Sequence, residues 1–336
     1  MEKQKDFLSL YGINPEDWRV ANIKKEDLLA IEDDFKEKSS EFANSANYFA
    51  NAVQGLDKVH SVRWRIKDPK HLVAKIVRKR AAGSQKYLNI SPSNYHEILT
   101  DLIGIRAIHL FKEDLLPIDD EIRSRWNLAE DPVIYIREGD VEDVNLSEKF
   151  SIKKHGFGYR SAHYIIESSP SKQKITAELQ VRTIFEEGWS EIDHFLRYPN
   201  HSENSDIKSI LTIFNRMAGS ADEIASFTLR LSRSLTELNH QLDDHKKEAE
   251  QAKEERDASV NKIDALLKEL ESRKEKTHES TKLIKQMQAE LETIKLQNSK
   301  DNAITASATQ IIPASDSSKN GAALLAALAA LAMIAK

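Results

Sequence analysis

Between residues 174 and 182 the chain alternates strictly: Ala177, Leu179 and Val181 are apolar, and Glu178, Gln180 and Arg182 are polar. Side chains two apart on a strand share a face. The pattern therefore predicts a strand that buries its apolar set and lines up a carboxylate, an amide and a guanidinium beside water. Earlier segments carry comparable signals. Val59 to Ile66 alternates Val62, Trp64 and Ile66 with Arg63 and Arg65, Leu102 to Phe111 is a more apolar strand, and Val133 to Arg137 and Tyr159 to Glu167 give a third and a fourth. Helical spacing fills the gaps: one helix opens at Pro69 and runs to about Arg80, another continues through Trp126, and a third spans Ile184 to Arg197. Residues 1–55 are helical, with Leu28, Leu29, Phe35, Phe42, Tyr48 and Phe49 as apolar members. Strands interleaved with helices make 56–205 a single α/β or α+β domain around one sheet.

Past Asp206 no strand signal remains. From Leu231 apolar residues recur in a 4-3 spacing (231, 235, 238, 242 and onward to 287, 291 and 294), interrupted at His245, Arg256, Ser259, Arg273, Thr277 and Ser280. A sustained seven-residue repeat predicts a coiled coil over 206–297 and self-association through it, with a long charged helix folded back on the domain as the competing reading. Residues 298–320, rich in Ser, Asn, Asp and Lys around Pro313, form a linker. The tail, 321–336, has no charge before Lys336; its 15 uncharged residues span about 22 Å as a helix, short of a ~30 Å hydrocarbon core. It suits a membrane-associating helix, a docking helix or an unstructured end equally well, and no transmembrane span is expected.

Composition narrows the classes further. The net charge of −5 argues against a uniformly basic nucleic-acid-binding surface. The absence of cysteine excludes disulfides and thiolate metal sites. The N-terminus does not resemble a secretory signal, so the expected location is cytoplasmic.

Four polar clusters carry chemistry. Arg63, Arg65 and Lys67 end the first strand, and His71 and Lys75 share one face of the next helix, with Arg78, Lys79 and Arg80 behind them. Converging cations of this kind suit a polyphosphate. Asp101 stands at the rim of the second strand before Gly104 and Arg106. Together Asp101 and Glu178 offer two hard oxygen ligands for Mg²⁺, an ion usually held by one or two carboxylates plus substrate phosphates. Lys153 to His163 forms a glycine-punctuated loop entering a strand, with Tyr159, Ser161 and His163 on one face and the tyrosine exposed for stacking on a purine. Glu191 and His194 follow on a helix and could brace the site.

In combination these segments resemble the synthetase domain of the RelA/SpoT family of guanosine tetra- and pentaphosphate (alarmone) synthetases. The resemblance rests on R-x-K-x(7)-K at Arg65, Lys67 and Lys75, D-x-x-G-x-R at Asp101 to Arg106, and G-Y-R-S-x-H at Gly158 to His163. It also includes E-x-Q-x-R-T at Glu178 to Thr183 and W-x-E-x-x-H at Trp189 to His194. It implies an α+β, nucleotidyltransferase-like mixed sheet flanked by helices and a Mg²⁺-dependent transfer of pyrophosphate from ATP to the 3′-hydroxyl of GDP or GTP. By that resemblance Arg63, Arg65, Lys67, His71 and Lys75 hold ATP. Asp101 and Glu178 are catalytic and bind metal, and Lys154, Tyr159, Arg160, His163, Gln180 and Arg182 hold the acceptor. The chain departs from the pattern in three places. His71 stands where many members have serine, Lys154 and His155 replace a Pro-Lys pair, and Phe157 takes a usually polar position. No His-Asp constellation of the companion hydrolase is evident, so the chain resembles the synthetase-only small alarmone synthetases. The family's range also leaves open a toxic member acting on adenosine nucleotides or the tRNA 3′ end. A different class stays open as well: an inactive nucleotide-sensing module recruited through its coiled coil or tail.

Overall fold

One mixed sheet organises the first of two compact units, Met1–Ser234 and Leu235–Lys336, in a computed structural model that describes residues 2–140, 144–156, 158–169, 174–197, 204–272 and 281–296. Four helices precede the sheet: α1 (Glu2–Tyr11), α2 (Pro15–Ala21), α3 (Lys25–Glu37) and α4 (Ser39–Gln54). Local chemistry sets several ends. Asn14 caps α2 by accepting from the Glu16 amide, with Pro15 at the first helical position, where its missing N–H costs nothing. Helix α4 turns Phe42, Ala46, Phe49 and Val53 inward at helical spacing.

The strands are β1 (Ser61–Ile66), β2 (Ile103–His109), β3 (Asn127–Leu128), β4 (Val133–Arg137), β5 (Ser151–His155), β6 (Ser161–Ser168) and β7 (Ile175–Thr183). Their order is β1-β2-β7-β6-β4-β5, with β3 also paired to β6. The β2–β7 and β4–β5 pairs are parallel; the other pairs are antiparallel. Helix α5 (Pro69–Ala81) crosses from β1 towards β2, followed by the short α6 (Tyr95–Ile98). Helix α7 (Leu115–Arg125) precedes β3, α8 (Val144–Lys149) precedes β5, and α9 (Ile184–Arg197) leads to the 68-residue α10 (Ser205–Ser272). The expected α+β class with a mixed sheet and a long C-terminal helix is what the chain adopts.

Alternation dictates the two faces of the sheet. Ile103, Ile105 and Ala107 of β2, Ala162, Tyr164 and Ile166 of β6, and Ala177, Leu179 and Val181 of β7 are all buried in one core with α4, α5 and α7. The opposite face carries polar residues in register. Arg63, Arg106, Gln180 and His163 form one row across four strands, and Arg65, Gly104 and Glu178 form the next.

The helix from Ile184 to Arg197 and the third strand have the bounds expected from sequence. The Lys153–Lys154–His155 segment does not: it is the C-terminal part of edge strand β5, paired with β4, rather than a loop. Ser151 to His155 lacks the β-branched density that marks a strand, and its pairing comes from tertiary context. In the second unit a helical stretch at 281–296 returns against the end of α10. Lys295 reaches Asp264 at 3.3 Å, and Leu267 and Leu291 are both buried. The linker at 298–320 and the tail at 321–336 lie outside the described residues. Among the described residues no helix is long and apolar enough to cross a membrane.

Candidate functional site

The polar face of the sheet floors a cavity of about 350 Å³, whose lining includes Arg63, Arg65, Lys67, His71, Asp101, Glu178 and Gln180. Arg106 and His194 are also part of that lining. Each position has a local cause. Asp68 accepts from the Lys70 and His71 amides, capping α5 and fixing the turn that carries Lys67 and His71. Lys75 lies one turn further on. Gly104 stands between Arg65 and Glu178 in the register, so no side chain fills the floor between the first arginines and the glutamate.

Asp101 is the centre of one half of the site. Its Oδ2 accepts from the Lys67 Nζ at 2.7 Å and pairs with the Lys75 Nζ at 2.6 Å, while its buried Oδ1 has no hydrogen-bond partner. Burial pushes this carboxyl up, but the two ammonium groups outweigh that and hold it below the ordinary carboxylate range. Burial also lowers Lys75, against the pull of Asp101. Glu178 accepts from His163 at 3.1 Å; burial raises it, and the hydrogen bond and charge of His163 bring it below its usual value. The charge of Asp101 also raises Glu178, and the two acids line the same cavity.

The other half is a chain of contacts. The Tyr159 hydroxyl meets His163 Nε2 at 2.9 Å and accepts from Arg182 at 3.0 Å, and Arg182 also donates to Gln180. Here two expectations are corrected. Arg182 is not beside water: it is 2 % exposed, paired with Glu187 at 3.2 Å and laid over the Tyr159 ring at 5.1 Å. Tyr159 is accordingly half-buried, with that face covered and Tyr135, His155 and His163 packed around it. A buried guanidinium needs a counter-ion, and α9 supplies it.

Of the acceptor candidates Gln180 lines the cavity, Tyr159, His163 and Arg182 stand behind it in that chain of contacts, and Arg160 and Lys154 lie elsewhere. Arg160, just ahead of β6, donates to Asp140 at 2.9 Å and is absent from the cavity lining. Lys154 is exposed on edge strand β5, away from the cavity lining. Arg80 also departs from the basic cluster, because its guanidinium donates to the carbonyls of Ala21, Asn22, Tyr87 and Leu88 and ties α2 to α5. Phe157 lies outside the described residues.

Sequence reasoning assigned no role to Arg106 and Glu187. Arg106 donates to Glu187 at 3.1 Å and to Glu191, while Arg63 pairs with Glu191 at 3.7 Å. Burial raises Glu191, but Arg106 lowers it more. The available signal was the capping box at the start of α9. Thr183 Oγ1 accepts from the Glu186 amide and Glu186 accepts from the Thr183 amide, which rotates Glu187 towards Arg106 and Arg182.

Comparison with known proteins follows from this geometry. Residues 64–203 match the family model described as the region found in RelA / SpoT proteins. The chain is 24% identical over 202 residues to GTP pyrophosphokinase YwaC of Bacillus subtilis (strain 168), covering 59% of this chain and 81% of that one. Among solved structures it is similar to small alarmone synthetase 1 from Bacillus subtilis (20% identity, TM-score 0.44, 60% of this chain and 99% of that one). It is also similar to a GTP pyrophosphokinase family protein from Streptococcus pneumoniae (22% identity, TM-score 0.42, 56% and 89%). Residues 64–203 are thus similar to the region found in RelA / SpoT proteins.

Proposed function

We propose that the chain is a Mg²⁺-dependent pyrophosphokinase that moves the pyrophosphoryl group of ATP onto the 3′-hydroxyl of GDP or GTP. The observation that carries this reading is the pair Asp101 and Glu178, set in one cavity with Arg63, Arg65, Arg106 and Lys67, and with Lys75 paired to Asp101. Phosphoryl transfer needs positioning and charge neutralisation more than covalent catalysis. The acceptor oxygen bonds to the β-phosphorus, the bond from that phosphorus to the α-phosphate bridging oxygen breaks, and AMP leaves. The hydroxyl proton is released to solvent.

The residues fit a divalent cation: Asp101 Oδ1 is a buried carboxylate oxygen without a hydrogen-bond partner, and both acids are hard donors. Bound there, Mg²⁺ would neutralise charge on the transferred phosphates. Asp101 and Glu178 would hold it, with substrate oxygens and water completing the shell. In this reading Lys67 and Lys75 exchange Asp101 for phosphate oxygens, and Arg63, Arg65 and His71 line the triphosphate. A carboxylate held below its ordinary range is a weak proton acceptor at neutral pH, so Glu178 acts chiefly by orienting the hydroxyl and ligating the metal. Tyr159, His163 and Gln180 contact the acceptor nucleoside, with Arg182 behind them.

The exposed Lys153 and Lys154 on β5 favour one second reading, an acceptor larger than a mononucleotide such as tRNA. The test is incubation of the purified chain with Mg²⁺ and γ-labelled ATP together with GDP, GTP, AMP or tRNA in separate reactions. Label on GDP and GTP is expected, and label on tRNA alone selects the second reading. Nucleotide binding with no transfer to any acceptor would replace both with a sensing module.

A further inference from the structure

The core face of the sheet is not filled evenly. In one row Ile105, Leu179 and Tyr164 lie side by side across β2, β7 and β6, and the next row on that face holds only Ala107, Val181 and Ala162. Two alanines and a valine in register leave room that larger side chains would take, and a cavity of about 700 Å³ opens there. Its lining includes Val181 and Ala162, Ile134 and Ile136 of β4, Leu116 of α7 and Leu146 of α8. A packed interior keeps few voids larger than a water molecule, and aliphatic walls offer water few hydrogen bonds. A space of this size with these walls suits a small molecule better than solvent.

We infer that this cavity is a binding site for an uncharged, largely apolar small molecule. Three observations select that ligand: volume, place and charge. Small-molecule pockets run from roughly 300 to 1,000 Å³ and are mostly apolar with a few polar groups, and this one matches on both counts. Its place fits as well. His109 and Thr183, the last residues of the parallel strands β2 and β7, both line it, and the crevice outside the carboxyl ends of parallel strands is where open α/β sheets bind their ligands.

The charges around the cavity cancel. Arg160 pairs with Asp140 at 2.9 Å, Arg230 pairs with Glu113, and Lys112 stands 3.9 Å from Glu223; all six line the space. His109 and Glu186 are in the lining too. Burial lowers the imidazole and raises the carboxyl, which favours the neutral form of each. A charged ligand would leave water for a site with no surplus charge to receive it, and such a transfer is costly. Among the described residues the cavity shares no lining residue with the one that holds Asp101 and Glu178. It is therefore a second site, and it stands whatever reaction the other face of the sheet performs.

Two dyes of one ring system test this on the full-length chain: N-phenylnaphthylamine, which is uncharged, and its sulfonated analogue anilinonaphthalene sulfonate. Both brighten on leaving water. The uncharged dye is expected to saturate at one molecule per chain, to bind at least about tenfold more tightly than the sulfonate, and to stay bound under saturating ATP and GDP. Leu116→Trp and Ile136→Trp push an indole into the space from two different walls. Each should weaken the uncharged dye at least about tenfold with circular dichroism unchanged, and one folded variant of the two is enough to decide. Four results would overturn the inference. No saturable binding removes the site, and a sulfonate that binds as tightly as the uncharged dye makes it a site for anions. Displacement by ATP or GDP puts the dye in the catalytic cavity, and undiminished affinity in a folded variant puts it elsewhere.

Discussion

Asp101 holds two lysines with one oxygen and leaves its other oxygen without a partner, and this asymmetry predicts how the residue fails. Asp101→Asn keeps the shape but removes the shared counter-ion of Lys67 and Lys75. Transfer should fall at least about a hundredfold, since each lost charge interaction at a phosphoryl centre is worth that order. The melting temperature should drop only a few degrees, because all three side chains keep some contact with water. Steady-state rates and a thermal melt check both. The pH response has a definite sign. Asp101 and Glu178 are both held below their ordinary range. They therefore stay ionised as the pH falls towards the values where free carboxylates protonate, and the stability they contribute is lost only below that. A profile of kcat/KM should show no acid limb from either group above about pH 4.5; a limb near pH 6 that moves in Glu178→Gln would contradict the assignment. The carboxylates, Lys67, His71 and Gln180 were legible because strand alternation and short spacing fix which face each residue takes. Arg160 and Arg182 were not. Alternation tells which face a residue occupies only inside a strand, and Arg160 precedes β6. For Arg182 the face was right, but the acid that buries it, Glu187, comes from another element.

At the scale of elements, the turn between β5 and β6 is tied to α10 at one point. Gly158 has φ +80, its carbonyl accepts from Asn215 at 2.8 Å, and a Cβ placed there would lie 2.7 Å from Asn215 Oδ1. Gly158→Ala therefore meets both a left-handed backbone and a close neighbour. A stability loss on the order of 1–3 kcal/mol is expected, with KM for the acceptor raised more than KM for ATP, because Tyr159 follows directly. Denaturant melts and separate titrations of the two substrates measure it. The strands with clear alternation or dense apolar content were readable. Those set by pairing, β3 and β5, were not, because two to five residues of mixed polarity carry no periodicity of their own. The seven-residue repeat was readable as a helix but not as a partner choice, since the same spacing serves an intrachain return and an intermolecular seam.

For the whole molecule, the first unit holds an acid where its second layer closes. Asp222 is 1 % exposed, and neither carboxylate oxygen makes a hydrogen bond of normal geometry. Burial, and then the charge of Glu186, raise it to about 6. The sign follows from linkage: between the ordinary aspartate value and pH 6 the folded chain binds the extra proton, so this group lowers stability as the pH rises through that window. Asp222→Asn should raise neutral-pH stability by on the order of 1–3 kcal/mol, and the gain should vanish near pH 4, as unfolding curves at several pH values would show. One more property belongs to the molecule and not to any single residue. Glu187 lies between Arg106 and Arg182, the latter laid over Tyr159. A triphosphate that draws Arg106 away alters the charge left to Arg182, and a ring that lifts Arg182 alters the charge left to Arg106. In the proposed reaction the affinities for the two nucleotides are therefore coupled, and by thermodynamic reciprocity each ligand shifts the dissociation constant of the other by one and the same factor.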